Sequence, residues 1–206
     1  RYIEGKSMNS IWVNQSLGVD PATGYELFQA VNGDIVTTWS TDNYVIGGCT
    51  DSDLEGTFGT NLAWKGFQLN AIFRYNYGGQ IYNQTLVDKV QDADLWENVD
   101  RRVFEDRWQK PGDKVMFKRL IGGATANVTS VTKPTSRFVE DNNWLELSTL
   151  NVSYEFKMRW MKKVGLKRLK ALFYMNDVFR VSTVKQERGI DYPFARNFSI
   201  GLQARF

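Results

Sequence analysis

No histidine occurs anywhere in the 206 residues. That removes the catalytic triads built on an imidazole base and the commonest zinc ligand sets. A single cysteine, Cys49, forbids an internal disulfide, and no histidine is present to activate it as a nucleophile. No basic tract suggests nucleic acid: 26 Lys and Arg are intermixed with 23 Asp and Glu, for a net charge of +3. Nor does any run approach the roughly 18 apolar residues of a membrane-spanning helix, which excludes a helical membrane protein. It does not exclude a membrane barrel. Barrel strands alternate, need only about 9–11 residues each, and keep mean hydropathy low; here it is −0.41.

Proline is scarce as well, with 4 residues against 17 glycines, while aromatics are plentiful at 7 Trp, 9 Tyr and 13 Phe. Those counts suit an all-β protein, either a barrel with aromatic girdles or a β-sandwich with an aromatic core. Periodicity says where the strands are. At the C-terminus Phe198, Ile200, Leu202, Ala204 and Phe206 alternate with Ser199, Gly201, Gln203 and Arg205, giving one oily face and one wet face. The strongest hairpin is Leu54 to Trp64, a tight Lys65-Gly66 turn, and Phe67 to Tyr77, interrupted only by Ile72. Its rings sit near the ends, Trp64 and Phe67 at the turn and Tyr75 and Tyr77 at the finish, as in the girdles of a lipid-facing surface.

Further strands are predicted over 143–156 and 168–179, joined by a basic connector at 157–167. Residues 1–53 predict one strand at 10–17, turn chemistry at 18–24, a short strand at 25–31 and a second turn at 32–34. The stretch 78–142 is very long for a connection. Within it, Leu95, Trp96, Val99, Val103 and Phe104 fall near helical spacing, predicting one or two short surface helices between 86 and 108 that end before Pro111-Gly112. Trp96, Arg102 and Trp108 are the candidate contacts to substrate or partner; packing within the loop's own small core is the competing reading of the two tryptophans. No catalytic residue, metal ligand or cofactor site is predicted.

Connection lengths alternate between short and long, as the periplasmic turns and extracellular loops of outer-membrane barrels do. Counting back from a periplasmic C-terminus, 78–142 and 180–194 are extracellular, while Lys65-Gly66 and 157–167 are periplasmic.

Several stretches, in order, resemble the C-terminal third or less of SusC/RagA-type TonB-dependent outer-membrane transporters. They are Glu4-Gly5-Lys6-Ser7, Gly18-Val19-Asp20-Pro21-Ala22-Thr23-Gly24, Val45-Ile46-Gly47, and Gly56 to Asn83 with its Gly78-Gly79-Gln80-Ile81-Tyr82-Asn83 ending. Arg107-Trp108, Ser136 to Asp141, Trp144 to Leu147, Asn176 to Phe179 and Tyr192 to Phe206 complete the series. Glu146 stands where the family usually has Arg, and Asp177 where it usually has Leu. The resemblance implies an all-β membrane protein in which about six antiparallel strands of residues 1–206 form the C-terminal part of a 22-stranded type of barrel with long extracellular loops. It implies import of glycans or peptides driven through the TonB complex, a SusD-like surface lipoprotein as partner, outer-membrane lipid around the wall, and a plug that this sequence does not contain. Gln68, Asn70, Arg74, Asn151, Glu155, Gln203 and Arg205 would then line a hydrated lumen or bond the plug.

The N-terminus, Arg1-Tyr2-Ile3-Glu4, is no signal peptide. Six strands cannot close such a barrel, and unpaired edges in lipid are costly. The chain is therefore expected to be a segment of a larger barrel or one chain of a split one. The alternative is a soluble carbohydrate-binding β-sandwich, in which a second sheet covers Phe198, Ile200, Leu202 and Phe206. A glycosidase using Glu140 and Asp141 is disfavoured, because neighbours on a strand point apart while that chemistry needs facing carboxyls about 5–9.5 Å apart.

Overall fold

The computed structural model describes residues 2–96, 98–120, 132–157, 165–185 and 196–206. Most of the 157–167 connector, and Gly189-Ile190-Asp191 and Tyr192-Pro193 of the last loop, lie outside them. The chain divides into two compact units, one of residues 1–51, 79–141 and 184–192, the other of 52–78, 142–183 and 193–206. Among the described residues no helix is long and apolar enough to cross a membrane.

In the second unit five strands form a single antiparallel sheet. Its strands are β5 (Leu54–Trp64), β6 (Phe67–Tyr77), β9 (Trp144–Phe156), β10 (Arg168–Ser182) and β11 (Phe198–Arg205). Each strand pairs with the next one of this unit along the chain, an up-and-down meander in which 78–143 is one long excursion. Lys65 (φ 46°) and Gly66 (φ 91°) form the two-residue β5–β6 turn, with both residues in the left-handed region that matches strand twist. A side chain at Gly66 would meet the Glu155 carbonyl at 2.8 Å.

Two irregularities explain why alternation in β9 and β10 is hard to follow. In β9 the register slips between Ile72↔Thr149 and Phe73↔Leu147, so Leu145 and Leu147 join the face of Leu150, Val152 and Tyr154 despite the odd spacing. Ser148, at the bulge, donates its hydroxyl to the Ile72 carbonyl at 3.0 Å. The matching bulge in β10 carries Asp177 at φ 48°, and beyond it the strand continues to Ser182. Arg180, Val181 and Ser182 are thus strand residues rather than the start of the 180–194 loop, because the bulge restores the pairing that plain alternation loses.

The first unit holds a four-stranded sheet, β3-β2-β1-β4, from β1 (Ser10–Val19), β2 (Glu26–Gln29), β3 (Ile35–Val36) and β4 (Tyr44–Cys49). The first strand therefore belongs to this sheet, and the other sheet has five strands where six spanning strands were expected. Strand β4 is short and glycine-rich, with little side-chain alternation for periodicity to detect. A small pair, β7 (Gln80–Tyr82) and β8 (Val139–Asp141), closes the base of the excursion.

Helical structure in the excursion is brief: α1 (Gln84–Leu86), a π turn at Val87–Gln91, and α2 (Arg102–Glu105). The Asn83 side chain accepts from the Leu86 amide at 3.0 Å and starts the first segment. The core is Leu86, Val87, Val90, Ala93, Val103, Phe117 and Phe138. This corrects the expected phase, since Leu95 and Trp96 are exposed and lie in no helix. The buried stripe begins nine residues earlier, at Leu86, because the helix takes its start from the Asn83 cap.

Candidate functional site

Register across the five-stranded sheet sorts its side chains into two faces. One row reads Leu62, Leu69, Val152, Phe173 and Ile200, and its neighbour Trp64, Phe67, Tyr154, Ala171 and Leu202. Further along lie Phe58, Phe73, Leu147 and Phe179, with Phe58 and Phe73 stacked at 5.0 Å. Apart from Thr60 on the outermost strand, this face is apolar from edge to edge. A sandwich core would bury such a surface, yet Trp64 is 69%, Ile200 73% and Leu202 74% exposed. Strands β5 and β6 have 11 residues each; at ~3.3 Å per residue and a tilt of ~45° they span ~25 Å, the height of a barrel's lipid-facing band.

The opposite face is polar. Asn61, Asn70, Asn151, Tyr174 and Ser199 form one row, in which Asn70 donates to Asn61 at 2.5 Å. Alongside it Gln68 accepts from Lys170 at 3.0 Å, and Arg168 pairs with Glu155 at 2.5 Å. A shallow groove of about 320 Å³ runs over Asn61, Asn70, Asn151, Gln68 and Lys170. Ile72 and Leu172 are the apolar interruptions near its middle.

Two rows from the ends of β6 and β10, Arg74, Glu146 and Arg180 stand side by side. Trp144 lies in the next row, with the Arg180 guanidinium 4.5 Å and the Arg74 guanidinium 5.9 Å from its ring centroid. Arg180 and Glu146 are 3.7 Å apart, and the Glu146 side chain is only 13% exposed. Sequence reasoning placed Arg74 on this face but left out Trp144 and Arg180. Arg180 follows the bulge, and Trp144 starts a strand whose phase changes four residues later.

In the first unit the charged groups are turned inward. Glu26 and Arg137 form a buried ion pair at 2.8 Å, their side chains 5% and 7% exposed. Ser16 and Thr135 each donate a hydroxyl to Oε1 of the same carboxylate at 2.7 Å, so the buried charge has neutral donors as well as its ionic partner. Arg107 donates to the carbonyls of Val90, Gln91, Val103 and Lys118, and burial pushes its pKa down to about 10. Burial likewise lowers Lys118, whose ammonium donates to Thr132 at 2.8 Å, and raises the Tyr82 phenol to about 12 with help from the Glu26 charge. These groups brace the segment; they do not form an open reaction centre.

The three predicted contact residues are not brought together. Trp108 donates its indole N–H to the Pro21 carbonyl at 2.8 Å and packs over Gly24, where a Cβ would lie 2.5 Å from its ring. Arg119 stands 5.6 Å from the Trp108 ring centroid, and both line a cavity of about 410 Å³ with Phe104, Arg107 and Gln109. Arg102 is engaged by Asp100 at 2.8 and 2.9 Å, and it holds that carboxyl well below the usual range. Trp96 is 82% exposed. Glu140 and Asp141 are successive residues of β8, facing apart. Among the described residues no group of carboxylates and Cys49 could hold a metal ion.

No family model matches the chain. Among curated proteins it is similar to TonB-dependent receptor P39 of Formosa agariphila, 28% identical over 198 residues that cover 87% of this chain and 18% of that protein. TonB-dependent receptor P3 of the same organism is 26% identical over 223 residues, covering 93% and 20%. The chain thus spans about a fifth of the length of these relatives. Among solved structures, the RagAB peptide importer in its open-open state superposes with a TM-score of 0.69 at 17% identity, over 96% of this chain and 22% of that one. The closed-closed state gives 0.62 at 17% identity, over 95% and 23%. At that identity the likeness speaks for the fold. With the motifs expected of SusC/RagA-type transporters and an antiparallel meander, the chain is similar to TonB-dependent receptors over a partial match that fits their C-terminal portion.

Proposed function

We propose that this chain is a wall segment, with one large extracellular insert, of an energised outer-membrane importer of glycan or peptide nutrients. The observation that carries the reading is the five-stranded meander with one continuous apolar face exposed and one polar face opposite. In lipid every backbone polar group must be paired, so its open edges, β5 and β11, require neighbouring strands. Those strands complete a barrel of the 22-stranded type, in the same chain or a second one.

Strand parity supports the orientation. The two-residue Lys65-Gly66 turn and the 157–167 connector face the periplasm, and 78–142 and the 183–197 connection face outward. A SusD-like lipoprotein capping the insert, a plug inside the barrel and TonB-coupled energy complete the assembly. The likeness to the RagAB peptide importer favours the lipoprotein. Trp96, exposed on the insert, is the contact residue best placed for partner or substrate; Trp108 and Arg102 act by shaping the insert.

Purification of the intact protein from outer membranes in detergent tests this. A plug-bearing polypeptide and a lipoprotein should accompany these residues, and uptake of the nutrient should stop when TonB is removed. Recovery of a detergent-independent monomer would overturn the proposal.

A further inference from the structure

The row Arg74–Glu146–Arg180 holds two guanidiniums and one carboxylate. Elsewhere on the polar face Glu155 stands opposite Lys170 and is gripped by Arg168 at 2.5 Å. Glu146 faces two arginines, sits 3.7 Å from one of them and is recessed at 13% exposure. Arg74 is exposed, and both guanidiniums are held against the Trp144 ring, at 5.9 and 4.5 Å. Stacking fixes the plane of a guanidinium while leaving its N–H edge for a second acceptor. The row therefore offers pre-oriented donors, two guanidiniums to one carboxylate, with the exposed Glu55 in the neighbouring row of Trp144, and Glu146 exhibits the kind of group they accept.

From this we infer that Arg74 and Arg180, positioned by Trp144, form a subsite for a carboxylate group carried by the transported solute. It lies within three residues of where β6 and β10 end, on the side where 78–143 departs, whereas nearer the Lys65-Gly66 turn the wall is lined by the neutral Asn61, Asn70 and Asn151. Carboxylates suit the planar fork of arginine in a bidentate grip. Glu146 acts as the resident competitor, keeping the site partly neutral until a solute displaces it. The inference rests on the importer reading.

Binding to the full-length protein with its co-purifying subunits, in detergent, tests it by calorimetry. The probes are triglutamate against triglutamine and trigalacturonate against its methyl ester. At least one acid should bind about tenfold more tightly than its neutral counterpart, since one charge-assisted contact at ~1.5 kcal/mol corresponds to that factor. Arg74→Gln alone should reduce the preference, and Arg74→Gln with Arg180→Gln should abolish it. Glu146→Gln should raise affinity for the acid several-fold, which a merely structural Arg–Glu ladder would not do. Equal binding of acids and neutral analogues overturns the inference, as does a preference that survives Arg74→Gln in an assembled protein or a Glu146→Gln variant that binds the acid less tightly. Uptake that proceeds without TonB in the unaltered protein counts against the importer reading alone and leaves the binding result standing.

Discussion

The Glu26 carboxylate collects four donors, from Ser16, Thr135 and Arg137, inside the insert unit. A buried pair of this kind is costly to break one-sidedly, because the partner is left charged and unpaired. Arg137→Met should lower the stability of the insert by about 3–5 kcal/mol, read as faster proteolysis of 79–141 in the otherwise assembled protein. Glu26→Gln with Arg137→Met should recover part of the loss. Tyr82 supplies a pH signature. Below the ordinary phenol value of about 10 both folded and unfolded states keep the proton, and the stabilisation is whole. Above it the unfolded chain ionises first, so stability falls until the folded phenol also ionises near its pKa of about 12. The loss should reach up to about 2–3 kcal/mol between pH 10 and 12, and Tyr82→Phe should abolish that part of the Tm decline. Neither residue announces itself in the sequence. Glu26 and Arg137 are 111 positions apart and meet only through the fold.

Among elements, the β5–β6 hairpin is the one whose two strands, turn and faces can all be read from residue order. Its alternation is interrupted only at Ile72, its pairing is continuous, and its turn needs positive φ at two successive positions. Strand β9 is harder, because a bulge at Ser148 reverses which residues share a face. The helices defeat periodicity altogether. The π turn and α2 are too short for a repeat to accumulate, and their packing is set by Phe117 and Phe138 from elsewhere in the excursion. The depth of the apolar face gives a test of its environment. Leu150 lies in the row of Thr60 and Ala71, midway along the 11-residue hairpin, while Trp64 lies at its end. Leu150→Arg should cost about 2–4 kcal/mol and Trp64→Arg about 0–1 kcal/mol if lipid covers the face. Heat-modifiable migration in gels reports assembly of each variant, and equal effects at the two depths would contradict a membrane setting. At the turn, Gly66→Val should impair assembly, since its Cβ collides with the Glu155 carbonyl.

For the whole molecule, the sequence separates wall from insert but does not count the sheets correctly. Residues 1–53 fold into their own four-stranded sheet, in which the strands expected at 10–17 and 25–31 are joined by the short β3 and β4, too brief or glycine-rich to show alternation. Residues 52–206 expressed alone should not form a heat-modifiable species, because β5 and β11 each present an unpaired edge. Formation of a closed, stable sheet by that piece would refute the need for further strands.

The excursion between β6 and β9 is tied at its neck by Asn76 donating to the Asn142 carbonyl and the Gly78 amide donating to Asn143, both at 2.8 Å. Immediately beyond the neck the two strands pair directly from Asn76↔Trp144. The wall therefore has little stake in the size of what hangs from it. Doubling the length of such a loop adds only about 0.6 kcal/mol of closure entropy. Lineages can lengthen, shorten or exchange this insert while keeping the same strand pairing, and a foreign domain spliced between Gly78 and Asn142 should leave the hairpin on either side in place.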